Sequence, residues 1–93
     1  MPLYLISYDI GPDARRLKVA TLLEGHGRRV QRSVFECDLN ETQYRRLRRR
    51  LQQLLRPDEG DNVRIYRLCA SCVSVIEIIG DGEVESTPDL YIF

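Results

Sequence analysis

Residues 28–39, Arg-Arg-Val-Gln-Arg-Ser-Val-Phe-Glu-Cys-Asp-Leu, decide how the rest of the chain is read. The stretch reads as extended, although its polar and apolar residues do not alternate cleanly. It fits a short hairpin turning near Arg32-Ser33, and it fits equally one long bulged strand. Upstream, Leu3 to Ile10 (LYLISYDI) is a nearly continuous apolar and aromatic run. That run predicts a central strand, interrupted by Asp9 at its C-terminal end. Gly11-Pro12-Asp13 then turns the chain into a helix, with Pro tolerated in the first turn and an acid near the positive end of the dipole. Leu17, Ala20 and Leu23, widened by Val19 and Leu22, give this helix an apolar stripe, and Gly25 and Gly27 end it.

Downstream, Asn40-Glu41-Thr42-Gln43 has the form of a capping box, with Asn40 as the cap and Gln43 reaching back. Tyr44, Leu47, Leu51, Leu54 and Leu55 then follow one helical stripe, with Arg45, Arg46, Arg48, Arg49 and Arg50 over the remaining faces, until Pro57 stops the helix. Asn62 to Cys69 and Val73 to Ile79 predict two more strands. Leu90 to Phe93 is a short apolar end that is costly to leave in water, at roughly 1.5–3 kcal/mol for each large side chain, and so predicts a strand added to a sheet.

With residues 28–39 as a hairpin, the order is β-α-β-β-α-β plus extra strands. This is an α+β, ferredoxin-like arrangement with both helices on one face of an antiparallel sheet. The 93 residues make one domain. We read residues 1–80 as that domain and 81–93 as a tail whose short strand is added to a partner's sheet. Too little chain remains to cover the second face of the sheet, so a homodimer stacking two open faces is expected.

Composition bounds the function. At 43% hydrophobic and 30% charged residues, bulk disorder is excluded. No run reaches the ~18 apolar residues of a membrane span, and Met1-Pro2-Leu3-Tyr4 does not read as a signal peptide, so a soluble, cytoplasmic protein without a membrane partner is expected. The net charge of zero conceals a segregation. Residues 15–56 carry twelve basic side chains against four acids, whereas residues 57–93 carry two against eight. A basic half suggests a surface facing a polyanion. Lys18 is the only lysine, and the arginines suit bidentate phosphate recognition.

Asp9 is the most informative residue. A carboxylate ending a buried strand loses hydration and needs a partner. It either caps the following helix or serves as an oxygen ligand for Mg²⁺. One Asp per chain is thin for a metal, and a twofold axis passing close to Asp9 would double it. Arg15, Arg16, Lys18, Arg28, Arg29 and Arg32 cluster around this strand-to-helix region and either bind phosphate or form a solvated face. Cys69 and Cys72 have the spacing of a metal or redox motif, but with Cys37 and a single His26 a zinc site is disfavoured and buried or hairpin cysteines are expected. A single histidine also excludes a Ser/His/Asp or Cys/His triad, and Gly25-His26-Gly27 lacks the context of a phosphate-binding loop.

Taken together, Tyr8-Asp9-Ile10, the basic helix after it, Gly27-Arg28-Arg29-Val30-Gln31-Arg32-Ser33-Val34-Phe35-Glu36, the amphipathic helix and Asp61-Asn62-Val63-Arg64-Ile65-Tyr66-Arg67-Leu68 resemble CRISPR-associated protein 2 over roughly residues 3–80. This family is the small partner of the CRISPR spacer integrase. The resemblance implies a ferredoxin-like homodimer with sheets face to face and a last strand on the partner's sheet. It also implies a bridge between dimers of the integrase, CRISPR-associated protein 1, that holds duplex DNA for insertion. In some members it implies a Mg²⁺-dependent endonuclease acting on single-stranded RNA or duplex DNA, with Mn²⁺ as an alternative metal. Its catalytic and metal-binding position falls on Asp9, paired with its dimer mate. Its nucleic-acid-binding positions fall on Arg16, Lys18 and Arg29, with the aromatic positions at Tyr8 and Phe35, Ser33 near the turn and Arg15 in the same basic cluster. The competing readings are a non-catalytic DNA-binding scaffold, a related toxin-like messenger-RNA nuclease, and a regulatory domain for a small ligand, which the arginine-rich surface disfavours.

Overall fold

A computed structural model describes residues 2–84. The chain runs β1 (Leu3–Asp9), α1 (Asp13–Glu24), β2 (Arg28–Gln31), β3 (Val34–Asp38), α2 (Glu41–Leu54), a 3₁₀ turn (Pro57–Glu59), β4 (Asn62–Leu68) and a short helix α3 (Ala70–Val73). Residues 28–39 are thus a hairpin, turning at Arg32-Ser33, with a register shift between Arg29 and Gln31. The four strands form one sheet in the order β2-β3-β1-β4, with every neighbouring pair antiparallel. This is the ferredoxin-like α+β arrangement.

Alternation along the strands separates two faces. Tyr4, Ile6 and Tyr8 of β1 and Phe35 and Cys37 of β3 are buried with Val19, Ala20 and Leu23 of α1 and Leu47 and Leu51 of α2. The Tyr4 and Tyr44 rings stack with centroids 4.5 Å apart and help to seat α2 on the sheet. The capping box forms as the sequence predicts: Gln43 N–H donates to Asn40 Oδ1 at 2.8 Å, and Asn40 N–H donates to Gln43 Oε1 at 2.9 Å. On the opposite face stand Leu5, Ser7 and Asp9, with Val34 and Glu36 of β3 and Arg64 and Tyr66 of β4 directly across from them in register. One end of this face is closed by α3, where the buried Leu3 and Val73 line a small cavity with Pro2 and Leu68.

Three expectations are corrected. Val73 to Ile79 is not a strand: Val73 ends α3, and residues 75–79 join no ladder among the described residues. The run is β-prone, but β-propensity takes effect only beside a pairing partner, and the turn at Cys69–Val73 carries the chain away from the β4 ladder. Ile79 is accordingly 98% exposed. Leu17, expected in the stripe of α1, is 68% exposed, because the buried arc of that helix is Val19, Ala20 and Leu23. Cys69 and Cys72 are exposed on the helical turn, neither buried nor in a hairpin. Leu90 to Phe93, and most of the expected tail, lie outside the described residues.

Gly27 marks the closest approach of the α1–β2 connection to β3. A Cβ there would press on the Glu36 carbonyl oxygen and stand 2.5 Å from Cys37 Sγ and 2.8 Å from Cys37 Cα. Two of these three neighbours are backbone atoms that cannot rotate aside. We expect Gly27→Ala to destabilise the fold by about 1–3 kcal/mol, the usual cost of overpacking. Urea unfolding should show it as a lower midpoint at unchanged slope.

Candidate nucleic-acid interface

Asp9 ends β1 with its Cα paired to Asn62 of β4. It is exposed, so within one chain it keeps its hydration, contrary to the sequence expectation. It does not cap α1 either. Pro12 occupies the cap position, and no side chain bonds to the first turn. The strand end therefore presents a carboxylate that is not used to hold the fold.

Around it the structure gathers a specific subset of the expected residues. Tyr8, Asp9, Ile10, Arg16, Arg32 and Ser33 line an open depression of about 270 Å³. A second depression of about 330 Å³ shares Tyr8, Arg16, Arg32 and Ser33 with it and adds Asp13, Leu17, Ala20 and Arg29. The hairpin turn is held against the strand end by Tyr8 N–H donating to the Ser33 carbonyl at 3.1 Å. Arg16 donates to the carbonyls of Ile10 at 3.0 Å and Gly11 at 2.8 Å, and its other terminal nitrogen pairs with Asp13. The arginine thereby fixes the turn between β1 and α1. Arg29 lies over the Phe35 ring, 5.3 Å from its centroid, and pairs with Glu24 at 3.1 Å. Phe35 is fully buried and Tyr8 nearly so. Their rings, 6.3 Å apart, support the floor of the depression and offer no face on which a base could stack.

Two expected residues stand elsewhere. Lys18 lines a separate groove with Leu17, Thr21, Leu22, Arg50 and Leu54. Arg15 is committed to the fold: its Nε donates to Asp61 Oδ2 at 2.5 Å and a terminal nitrogen to Oδ1 at 3.2 Å, with a further contact to Glu59 at 3.2 Å. Asp61 also accepts from the Arg56 backbone N–H at 2.9 Å. The Arg15 guanidinium, together with that backbone bond, holds the Asp61 carboxyl below the usual carboxylate range, against the opposing effect of burial. Asp61 raises Arg15 in turn. Sequence reading missed this pair because 46 residues separate its members. It also missed Asn62 as the neighbour of Asp9, which only the β1–β4 register reveals.

The donor set at Asp9 fits a hard cation only in part. Mg²⁺ keeps several waters and takes one or two carboxylates, and Asp9 supplies one. Asp13 is engaged by Arg16, and no group of three or more His, Cys, Asp or Glu side chains among the described residues could hold a metal. No helix among the described residues is long and apolar enough to cross a membrane.

Comparison with known proteins gives a consistent picture. The sequence profile of the family described as CRISPR associated protein Cas2 matches residues 1–76. CRISPR-associated endoribonuclease Cas2 1 of Chloroflexus aurantiacus is 62% identical over 90 residues, covering 96% of this chain and 97% of its own. The crystal structure of Streptococcus pyogenes Cas2 superposes with a TM-score of 0.72 at 30% identity, covering 84% of this chain and 99% of its own. A chain from a partial Cas6-RT-Cas1–Cas2 complex superposes with a TM-score of 0.73 at 33% identity, covering 85% of this chain and 91% of its own.

The Asp61 pair has a pH signature. A carboxyl whose folded pKa is depressed adds stability that is fully present above its unfolded pKa, near about 3.9, and lost as pH falls through the folded value. We expect Asp61→Asn to lower stability at neutral pH and to flatten the acid limb of a stability–pH profile measured by denaturant unfolding.

Proposed function

The chain belongs to the CRISPR-associated protein Cas2 family, and from that premise we propose that it is a metal-dependent endonuclease of CRISPR adaptation. In this reading it acts on RNA or duplex DNA and bridges integrase subunits during spacer insertion. The observation that carries the reading is the exposed Asp9 carboxylate, unused by the fold, in a depression lined by Arg16, Arg32 and Ser33, with Arg29 in the adjoining one. An open, arginine-rimmed hollow of this size suits a phosphate of a polymer chain better than an enclosed small ligand, for which pockets run to about 300–1,000 Å³.

The active unit is a homodimer. Leu5, Val34 and Tyr66 lie across from or beside one another on the face away from α1 and α2; Leu5 and Val34 share a hollow with Ile78 and Ile79, and Tyr66 is 48% exposed. Stacking two such faces removes this apolar surface from water and brings a second Asp9 toward the first. The two carboxylates together meet the ligand requirement that one chain leaves half filled. The Asp9 carboxylates would hold Mg²⁺, or Mn²⁺ in its stead, which would supply Lewis-acid polarisation of a phosphoryl oxygen and acidify water there. Arg32 holds phosphate oxygens, Arg16 braces the turn beside it, Arg29 extends the cationic track, and the Ser33 turn fixes their spacing. The integrase partner and a cytoplasmic location belong to the same proposal, supported by the likeness to a chain of a Cas1–Cas2 complex. A non-catalytic scaffold is the second reading, favoured by the shortage of carboxylates at the site and by the engagement of Asp13 with Arg16.

Asp9→Asn separates the two. We expect metal-dependent cleavage of single-stranded RNA and of duplex DNA to fall by about 10²–10⁴, the loss of several kcal/mol of charge stabilisation, with duplex affinity retained. Cleavage unchanged in Asp9→Asn, or absent from wild type with Mg²⁺ and with Mn²⁺, refutes the nuclease and leaves the scaffold. Arg32→Ala should weaken binding evenly across sequences and reduce the slope of log affinity against log salt by about one. Leu5→Arg should turn a dimer into a monomer in light scattering, and a wild-type monomer at high concentration would refute the stacked pair.

A further inference from the structure

Cys69 and Cys72 take no part in the site around Asp9. Asp9 pairs with Asn62 and Leu3 with Leu68, so the cysteines follow β4 at the opposite end of the sheet. Their sulfurs lie 3.4 Å apart and both residues are exposed, whereas Cys37 is fully buried. A disulfide needs about 2.05 Å between sulfurs, and the two exposed side chains stand on one helical turn beyond the end of the β4 ladder. Cys69 Sγ also lies 3.1 Å from Ser71 Oγ. Metal binding is the weaker reading, because no third ligand stands beside the pair among the described residues.

We propose that Cys69 and Cys72 are a reversible dithiol–disulfide pair that exchanges with small-molecule disulfides, Cys69 attacking and Cys72 resolving. The assignment of roles follows from the surroundings of each sulfur. The Ser71 hydroxyl, followed by the backbone and thiol of Cys72, stabilises the Cys69 thiolate and brings that thiol from 9.0 down to about 7. The neighbouring Cys69 pushes Cys72 up. Near neutrality Cys69 is therefore the nucleophile and Cys72 the protonated reserve. The Cys69 thiolate attacks one sulfur of an oxidised glutathione-type disulfide, forming a mixed disulfide and expelling one thiolate. Cys72 gives its proton to solvent and attacks Cys69 Sγ, closing the internal disulfide and expelling the second thiolate. Two electrons leave the protein, and the small disulfide becomes two thiols. The closed pair spans the turn that carries Val73 into its cavity beside Leu3 and from which residues 74–84 depart. Oxidation therefore fixes the geometry of that departure.

The test uses the full chain with oxidised glutathione at pH 7, followed by alkylation, trypsin cleavage after Arg67 and mass spectrometry. That cut separates both reactive thiols from Cys37. In wild type the fragment beginning at Leu68 should resist alkylation at both cysteines, carry no glutathione and recover both thiols with dithiothreitol. Cys72→Ser should retain glutathione on Cys69, and Cys69→Ser should react about tenfold more slowly. Ser71→Ala should move the midpoint of the Cys69 alkylation–pH curve upward. Glutathione retained on wild type, a disulfide joining two chains, or thiols that stay unreacted would each overturn the proposal.

Discussion

The placement of every functional side chain depends on β1 being paired along both edges at once. All seven residues from Leu3 to Asp9 are matched to β4, and five of them to β3. A slip of one residue would exchange the faces, sending Ser7 and Asp9 into the core and Ile6 and Tyr8 out to water. Burying an unpaired carboxylate and exposing two large apolar side chains are both costly, so the register is held from both directions. The same pairing that completes the core delivers Asp9 to the sheet's rim, where the turn into α1 and the Arg32-Ser33 turn converge. Arg16 then seals the corner by bonding the carbonyls of Ile10 and Gly11.

Elements dictated by local chemistry were legible in the sequence. The apolar run from Leu3 to Ile10 announces a central strand, and the Asn40–Gln43 box with the leucines behind it announces α2. Element order then supplies the ferredoxin-like topology. What stayed illegible depends on long-range geometry. Val73 to Ile79 has strand composition, but a strand exists only beside a partner, and the turn at Cys69 takes this run off the ladder. The stripe of α1 misleads at Leu17 because the helix buries only the arc of Val19, Ala20 and Leu23, narrower than its apolar residues span.

The site shows the same division. Asp9, Arg16 and Arg29 stand out by type and sequence neighbourhood and Ser33 by the family resemblance, and they share adjoining hollows because that neighbourhood folds on itself through two tight turns. Arg15 has the same type and neighbourhood, yet its guanidinium is taken by Asp61 and it lines neither hollow. The resemblance places Phe35 among the nucleic-acid-binding positions, but strand alternation directs its ring inward, where it supports Arg29 from below. The charge segregation along the chain is visible in the sequence, whereas the division of its arginines between solvent and structure follows from helix phase and strand register.

The Arg15–Asp61 contact has a consequence for how this sequence can vary over time. Position 61 has no exposed side-chain surface and position 15 little. Loss of Arg15 would leave the Asp61 carboxylate buried with the Arg56 backbone N–H as its donor, a penalty that simple solvation cannot relieve, whereas loss of Asp61 would leave Arg15 its contact with the exposed Glu59. The constraint is therefore one-sided: position 61 can lose its charge first, and position 15 is held for as long as an acid stands at 61.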